Sequence, residues 1–240
     1  MYKRYRPGYP PAVVELMKQK CWLSPDAMIA DVGSGTGVFS SLLLANGNRV
    51  FGVEPNSGMR RVAERRFENC ARFVSVAATA ESTRLAEHSV DFITAAQSFH
   101  WFDRQRTRLE FARILKTGGW VVLVWNRTRT SSTPFLAAYH SLLQTYGTNY
   151  DIVRQGHGDQ SMLESFFSPH GVEVTVFDNR QLFDFDGLKG RLLSSSYTPE
   201  PGDARLKDML YELGRIFRTH QVNGKVNFEY DTLVCYGRLP

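Results

Sequence analysis

Cysteine is scarce in this sequence of 240 residues. Its three copies, Cys21, Cys70 and Cys235, stand far apart and are odd in number. No pair has metal-ligand spacing, so neither a disulfide framework nor a zinc site is expected, and buried reduced thiols are the simpler reading. Long apolar runs are also missing. The longest apolar-rich stretch, Trp120 to Trp125, has the length of a strand, and nothing is long enough to cross a bilayer. The opening MYKRYRPGYP has no apolar signal-peptide core. The expected location is therefore the cytoplasm, where the glycosylation-like Asn126-Arg127-Thr128 carries no meaning. Internal repeats and low-complexity segments are absent. A hydrophobic fraction of 42% with 22% charged residues excludes a disordered chain.

Charge of one sign is not concentrated either. The net charge of +5 is dispersed, and nucleic acid is not an expected partner. The densest basic cluster, Arg60, Arg61, Arg65 and Arg66, is interleaved with Val62, Ala63 and Phe67, which reads as the solvated face of an amphipathic helix. A mild positive field would still favour an anionic substrate.

What is present is an alternation of short apolar strands and helical patterns. Strands are expected at Met28–Val32, Arg49–Val53, Arg72–Ala77, Val90–Ala95 and Trp120–Trp125. Helices are expected at Thr36–Ala45, Gly58–Glu68 and Arg104–Leu115, with a break at Thr117-Gly118-Gly119. This rhythm predicts an α/β protein: a parallel sheet with helices on both faces and right-handed crossovers. The second half is different. Pro134–Tyr146, Met162–Phe167, Leu188–Ser195 and Ala204–Thr219 read as helices, Val172–Phe177 as a strand and Asn227–Leu239 as a β-rich end. The expected organisation is a core over residues 1–127, a mainly helical lobe over 128–222 with a returning strand near 172–184, and a last strand within 223–240. A lobe over the C-terminal ends of the strands is where a substrate pocket would form.

The sharpest motif is Asp31-Val32-Gly33-Ser34-Gly35-Thr36-Gly37, which follows a predicted strand and opens a predicted helix. Glycines there permit a tight turn and close approach of a ligand, and free amides at the helix start favour a carboxylate or phosphate. The second signal is Glu54, which ends the next strand in Gly52-Val53-Glu54-Pro55, 17 residues after Gly37. A carboxylate at that place can accept both ribose hydroxyls of an adenosine. The dinucleotide pattern fails because Val38 stands where its third glycine would be. A phosphate-binding loop of the Gly-Lys-Ser/Thr kind does not occur.

The G-x-G-x-G spacing resembles motif I of class I S-adenosylmethionine (SAM) methyltransferases. The resemblance widens through Tyr5-Arg6-Pro7-Gly8-Tyr9-Pro10, Thr79-Ala80-Glu81, Gln97-Ser98-Phe99-His100-Trp101-Phe102-Asp103 and Glu110 to Gly119. Together these are similar to the type 11 group that includes trans-aconitate-methyltransferase-like proteins. Ser196-Tyr197 and Phe228 to Leu239 extend the likeness over most of the chain. It implies a Rossmann-like, mostly parallel seven-stranded sheet with an inserted helical lobe. It also implies SAM as cofactor, with S-adenosylhomocysteine as product. On that resemblance Gly33, Ser34, Gly35 and Gly37 pass the methionine part, and Glu54 holds the ribose. Pro55 and Met59 pack near ribose and adenine, and Thr79, Ala80 and Glu81 match the loop that reads the adenine edge. Thr79 replaces the Asp that the family often carries. Gln97 and Ser98 would lie under the sulfonium, and Tyr2 and Arg6 would cover the cofactor, with the Arg6 fork suited to its carboxylate.

Methyl transfer from a sulfonium is an in-line displacement in which alignment and desolvation do much of the work. No metal is required. His100 is the base candidate if the acceptor must lose a proton, and Trp101, Ser196 and Tyr197 are candidate substrate-pocket residues. The expected activity is methylation of a small molecule, a carboxylate or a phenol. The alternatives are an RNA or protein methyltransferase and a SAM-binding protein without turnover. No membrane partner is expected, and the residues leave the oligomeric state open.

Overall fold

A computed structural model describes residues 7–148, 150, 160–195 and 197–240. Tyr2, Arg6 and Ser196, three of the candidate site residues, lie outside the described residues. Seven strands form one sheet: β1 (Met28–Val32), β2 (Arg49–Val53), β3 (Phe73–Val76), β4 (Val90–Ala96), β5 (Leu115–Thr128), β6 (Glu173–Phe183) and β7 (Val226–Gly237). Their order is β3-β2-β1-β4-β5-β7-β6, and the pairs β3-β2, β2-β1, β1-β4 and β4-β5 are parallel. The helices are α1 (Ala12–Cys21), α2 (Val38–Ala45), α3 (Ser57–Arg66), α4 (Arg104–Ile114), α5 (Pro134–Tyr146), α6 (Gln160–Phe167), α7 (Phe185–Leu193) and α8 (Ala204–His220).

The described chain divides into two compact units. In the larger, residues 8–125, 160–177 and 232–240, the strands alternate between two buried faces because successive side chains point opposite ways. Ala30, Ile93, Val121, Leu123 and Trp125 enter one cluster with Phe111 of α4 and Phe166 of α6. Ile29, Phe92, Val122 and Val124 enter the other with Met17 of α1 and Leu43 of α2. Both faces being covered explains why these strands read as continuous apolar runs rather than alternating ones.

Helix α1 has no counterpart among the elements expected from the sequence. It buries Val13, Val14, Leu16 and Met17. The expected break at Thr117-Gly118-Gly119 falls inside β5. Val90 of β4 pairs with Leu115 and Phe92 with Trp120, so the extra residues of β5 between them bulge. Gly118, with φ +77°, turns the bulge at no side-chain cost. Strand β6 covers Glu173–Phe183, which continues past the alternating Val172–Phe177 and stays within the stretch near 172–184.

The second unit, residues 7, 126–148, 150, 178–195 and 197–231, has its own core. Phe135, Leu136, Tyr139 and Leu143 of α5 pack with Leu188 and Leu192 of α7, Met209 and Leu213 of α8, and Phe228 and Tyr230 of β7. Thr133, Asp184 and Asp203 cap its helices by accepting from Leu136, Gly187 and Arg205 amides.

Candidate cofactor site

The site is set by register. Asp31 lies beside Gly52 of β2 and Thr94 of β4, so the C-terminal ends of β1, β2 and β4 lie together. The segments leaving those ends carry the Gly33–Gly37 loop, Glu54 and Gln97. This is where open α/β sheets bind ligands.

The loop between β1 and α2 folds back on β2. The Gly33 and Ser34 amides both donate to the Val53 carbonyl, at 2.8 and 3.1 Å, and the Gly37 amide donates to the Ser34 carbonyl at 2.9 Å. The Gly35 amide donates to Glu54 Oε2 at 2.9 Å. These four loop amides are thus engaged within the protein. The glycines serve close approach instead. Gly33 has φ +68°, and a Cβ there would lie 2.4 Å from Ser98 Cβ. Gly37 has φ +74°, and its Cβ would meet Phe67 Cε2 at 2.4 Å. Only glycine fits either position.

Glu54 is buried. Besides the Gly35 amide it accepts from the Asn56 amide through Oε1 at 2.8 Å. A carboxylate has about four acceptor directions. Two are taken, which leaves about two open to further donors. Two residues that the motif reading left out hold this glutamate in place. Asn56 caps α3, accepting from the Gly58 and Met59 amides. Arg60 donates to the Glu54 carbonyl at 2.9 Å. An Asn directly before a helical pattern is a readable start signal. The grip of Arg60 on a backbone carbonyl is not, and it gives one member of the basic cluster a structural task.

Under the loop lies Asp31, 1% exposed. Ser40 donates to its Oδ2 at 2.5 Å and Thr94 to its Oδ1 at 2.9 Å. Burial pushes its carboxyl up to about 6, with the charge of Glu54 adding to the rise and the two hydroxyls opposing it. Asp31 therefore ties β1, α2 and β4 together, a role without any sequence signal beyond the motif itself.

After β4, Gln97 takes a left-handed φ of +57°, and its amide donates to the Val124 carbonyl at 2.8 Å. A non-glycine residue there is held against its preference, as happens at binding sites. Ser98 is buried, and its hydroxyl donates to the Val32 carbonyl at 2.8 Å. His100 lies in the short 3-10 turn Phe99–Trp101, with its ring 5.1 Å from that of Trp101. Trp101 is 77% exposed rather than packed. Thr79 forms an isolated bridge with Ser82, next to buried Ala80. Glu81 Oε1 accepts from the Asp103 amide at 3.0 Å. Burial pushes the Glu81 carboxyl up, but that amide and the other donors around it outweigh burial and hold it below its usual range. Met59 approaches Gly35, where a Cβ would lie 3.9 Å from its Sδ, and Pro55 is exposed. All of these belong to the larger unit. Tyr197 belongs to the other, where its ring lies 5.0 Å from that of Tyr150. Cys21, Cys70 and Cys235 form no disulfide. Among the described residues no acidic, histidine or cysteine cluster could hold a metal. No helix among them is long and apolar enough to cross a membrane.

Comparison with known proteins agrees with this architecture. Residues 30–123 match the family described as methyltransferase domain. An uncharacterized methyltransferase of Mycobacterium tuberculosis is 37% identical over 127 residues, 52% of this chain and 49% of that protein. A solved protein of Anaeromyxobacter dehalogenans, provisionally named a type II methyltransferase, is 26% identical. It superposes with a TM-score of 0.75 over 98% of this chain and 99% of its own. The fold also recurs in geranyl diphosphate C-methyltransferase of Streptomyces coelicolor, solved with S-adenosyl-L-homocysteine. There the TM-score is 0.51 at 14% identity, over 95% of this chain and 77% of that one. The chain spans about half the length of the curated relatives it matches. Over residues 30–123 it carries a methyltransferase domain, and its sequence and fold are similar to those of class I SAM-dependent methyltransferases of the type 11 group.

Proposed function

We propose that this protein transfers a methyl group from SAM to a small-molecule acceptor in the cytoplasm. The observation that carries the reading is Glu54, buried at the end of β2 with two amides on it and acceptor directions to spare, beside a loop that only glycines can form. On this reading Glu54 accepts the ribose hydroxyls. Pro55 and Met59 flank ribose and adenine, and Thr79, the Ala80 amide and Glu81 face the adenine edge. Gly33, Ser34, Gly35 and Gly37 border the methionine part, with Gln97 and Ser98 beneath it. The family resemblance assigns covering the cofactor to Tyr2 and Arg6, and choosing the acceptor to the mainly helical region 128–222 with its strand near 172–184. When bound, the cofactor supplies a methyl group already activated on sulfonium.

The protein's own work is then alignment and exclusion of water. His100 takes a proton where the acceptor is a phenol or an amine, and has no such task where the acceptor is a carboxylate. Of the relatives named above, the Streptomyces enzyme was solved with the demethylated product of that cofactor, which supports the same choice here.

The test is calorimetric titration of SAM and S-adenosylhomocysteine into the wild type and Glu54→Ala, with circular dichroism as the fold control. Two hydrogen bonds to a charged group contribute about 1.5 kcal/mol each, so binding should weaken about 100-fold in the variant. Folded wild type that binds neither compound would sink the proposal.

A further inference from the structure

The second unit buries a positive charge that no described residue neutralises. Arg191, on α7, is 4% exposed. Its Nη1 donates to Ser195 Oγ at 2.8 Å and its Nε to the Tyr230 hydroxyl at 3.4 Å, both neutral oxygens. The guanidinium carbon lies 5.4 Å from the centre of the Phe228 ring. Among the described residues no carboxylate reaches Arg191 within 4.0 Å, and its Nη2 has no acceptor. A guanidinium cannot shed its proton to escape burial, and a buried charge is ordinarily paired.

Beside it stands a second anomaly. Tyr139, on α5, is 2% exposed, and its hydroxyl has no hydrogen-bond partner. Its ring packs edge-on against Phe228 at 5.0 Å, the same ring that Arg191 covers. Burial drives the Tyr139 phenol well above its usual range, with neighbouring Tyr197 adding to the rise, so the group stays protonated and keeps a proton to donate. Two donors are therefore left over at one place, one of them charged.

We propose that Arg191 and Tyr139, with Ser195 and Tyr230, form a binding site for the carboxylate group of a small organic acid. One negative charge balances the one guanidinium, whereas a dianion would leave an uncompensated charge among phenol rings. A planar two-oxygen acceptor also matches a fork of parallel N–H donors, which a spherical anion does not. The site lies wholly within the second unit, and the inference holds whether or not the protein transfers methyl groups.

Thermal unfolding and calorimetry of the full chain with formate, propionate and benzoate, each against its neutral amide, test this. At least one acid should raise the melting temperature saturably while its amide does nothing. Tyr139→Phe should melt no lower than wild type without ligand, because it removes an unsatisfied hydroxyl, yet bind the acid about fivefold more weakly. Arg191→Lys, which keeps the charge and loses the fork, should bind it more weakly still. The proposal is overturned if no acid acts, if acid and amide act alike, if chloride at equal concentration reproduces the acid, or if Tyr139→Phe binds as wild type does.

Discussion

Asp31 offers a quantitative check on the electrostatics beneath the glycine loop. Its carboxyl is raised from 3.8 to about 6, chiefly by burial. A carboxyl whose folded value is raised favours the folded state fully only below the unfolded value. That contribution declines as pH rises from 3.8 and is gone above about 6. At neutral pH the ionised form costs about 3 kcal/mol, and between about pH 4 and pH 7 the change attributable to this one group is about 2.5 kcal/mol. Asp31→Asn removes the titration while keeping a neutral acceptor for Thr94, and the Ser40 hydroxyl can turn to accept from the new amide. Urea unfolding of wild type and variant at the two pH values gives a double difference in which every other carboxylate cancels. The variant should lose about 2.5 kcal/mol less than wild type as pH rises from 4 to 7. Parallel stability curves would refute the assignment of a burial-dominated carboxyl at Asp31.

Two further outcomes are expected. Gly33→Ala combines a left-handed backbone with a Cβ lying 2.4 Å from Ser98 Cβ. It should cost more than about 2 kcal/mol in unfolding free energy and abolish cofactor binding measured by calorimetry. Normal binding would show that the loop can relax. Glu110 accepts from the Thr83 amide at 2.7 Å, from the Thr83 hydroxyl at 2.6 Å and from Arg113. Burial pushes its carboxyl up, but those donors outweigh burial and hold it below its usual range. The stability it supplies is present above the ordinary carboxyl value and lost as pH falls. Glu110→Gln should cost about 1.5–3 kcal/mol at neutral pH and flatten the acid limb of the stability curve, read by denaturant unfolding. An unchanged acid limb would contradict the pairing.

The strands of the larger unit were legible because burial on both faces writes them as apolar runs with turn residues between them. Met28–Val32 and Arg49–Val53 fall where the sequence places them. The Gly33–Gly37 loop and Glu54 were legible for a different reason. They need particular residue types at fixed spacing, and spacing along the chain is what a sequence records. The bulge at Gly118 was not legible, because a glycine pair marks a break and an in-strand irregularity equally well, and only pairing with β4 chooses.

The sequence by itself determined the α/β alternation, the glycine turn after the first strand and the carboxylate after the second. Each depends on residues close in the chain. Tertiary structure alone decided that the Gly33, Ser34 and Gly35 amides are spent on Val53 and Glu54, that Thr94 and Ser40 converge on Asp31, and that Arg191 is buried beside Tyr139 with no counter-charge among the described residues. Those facts join residues that are distant in sequence, and which polar group meets which is settled by strand register and helix packing, neither of which a local pattern specifies.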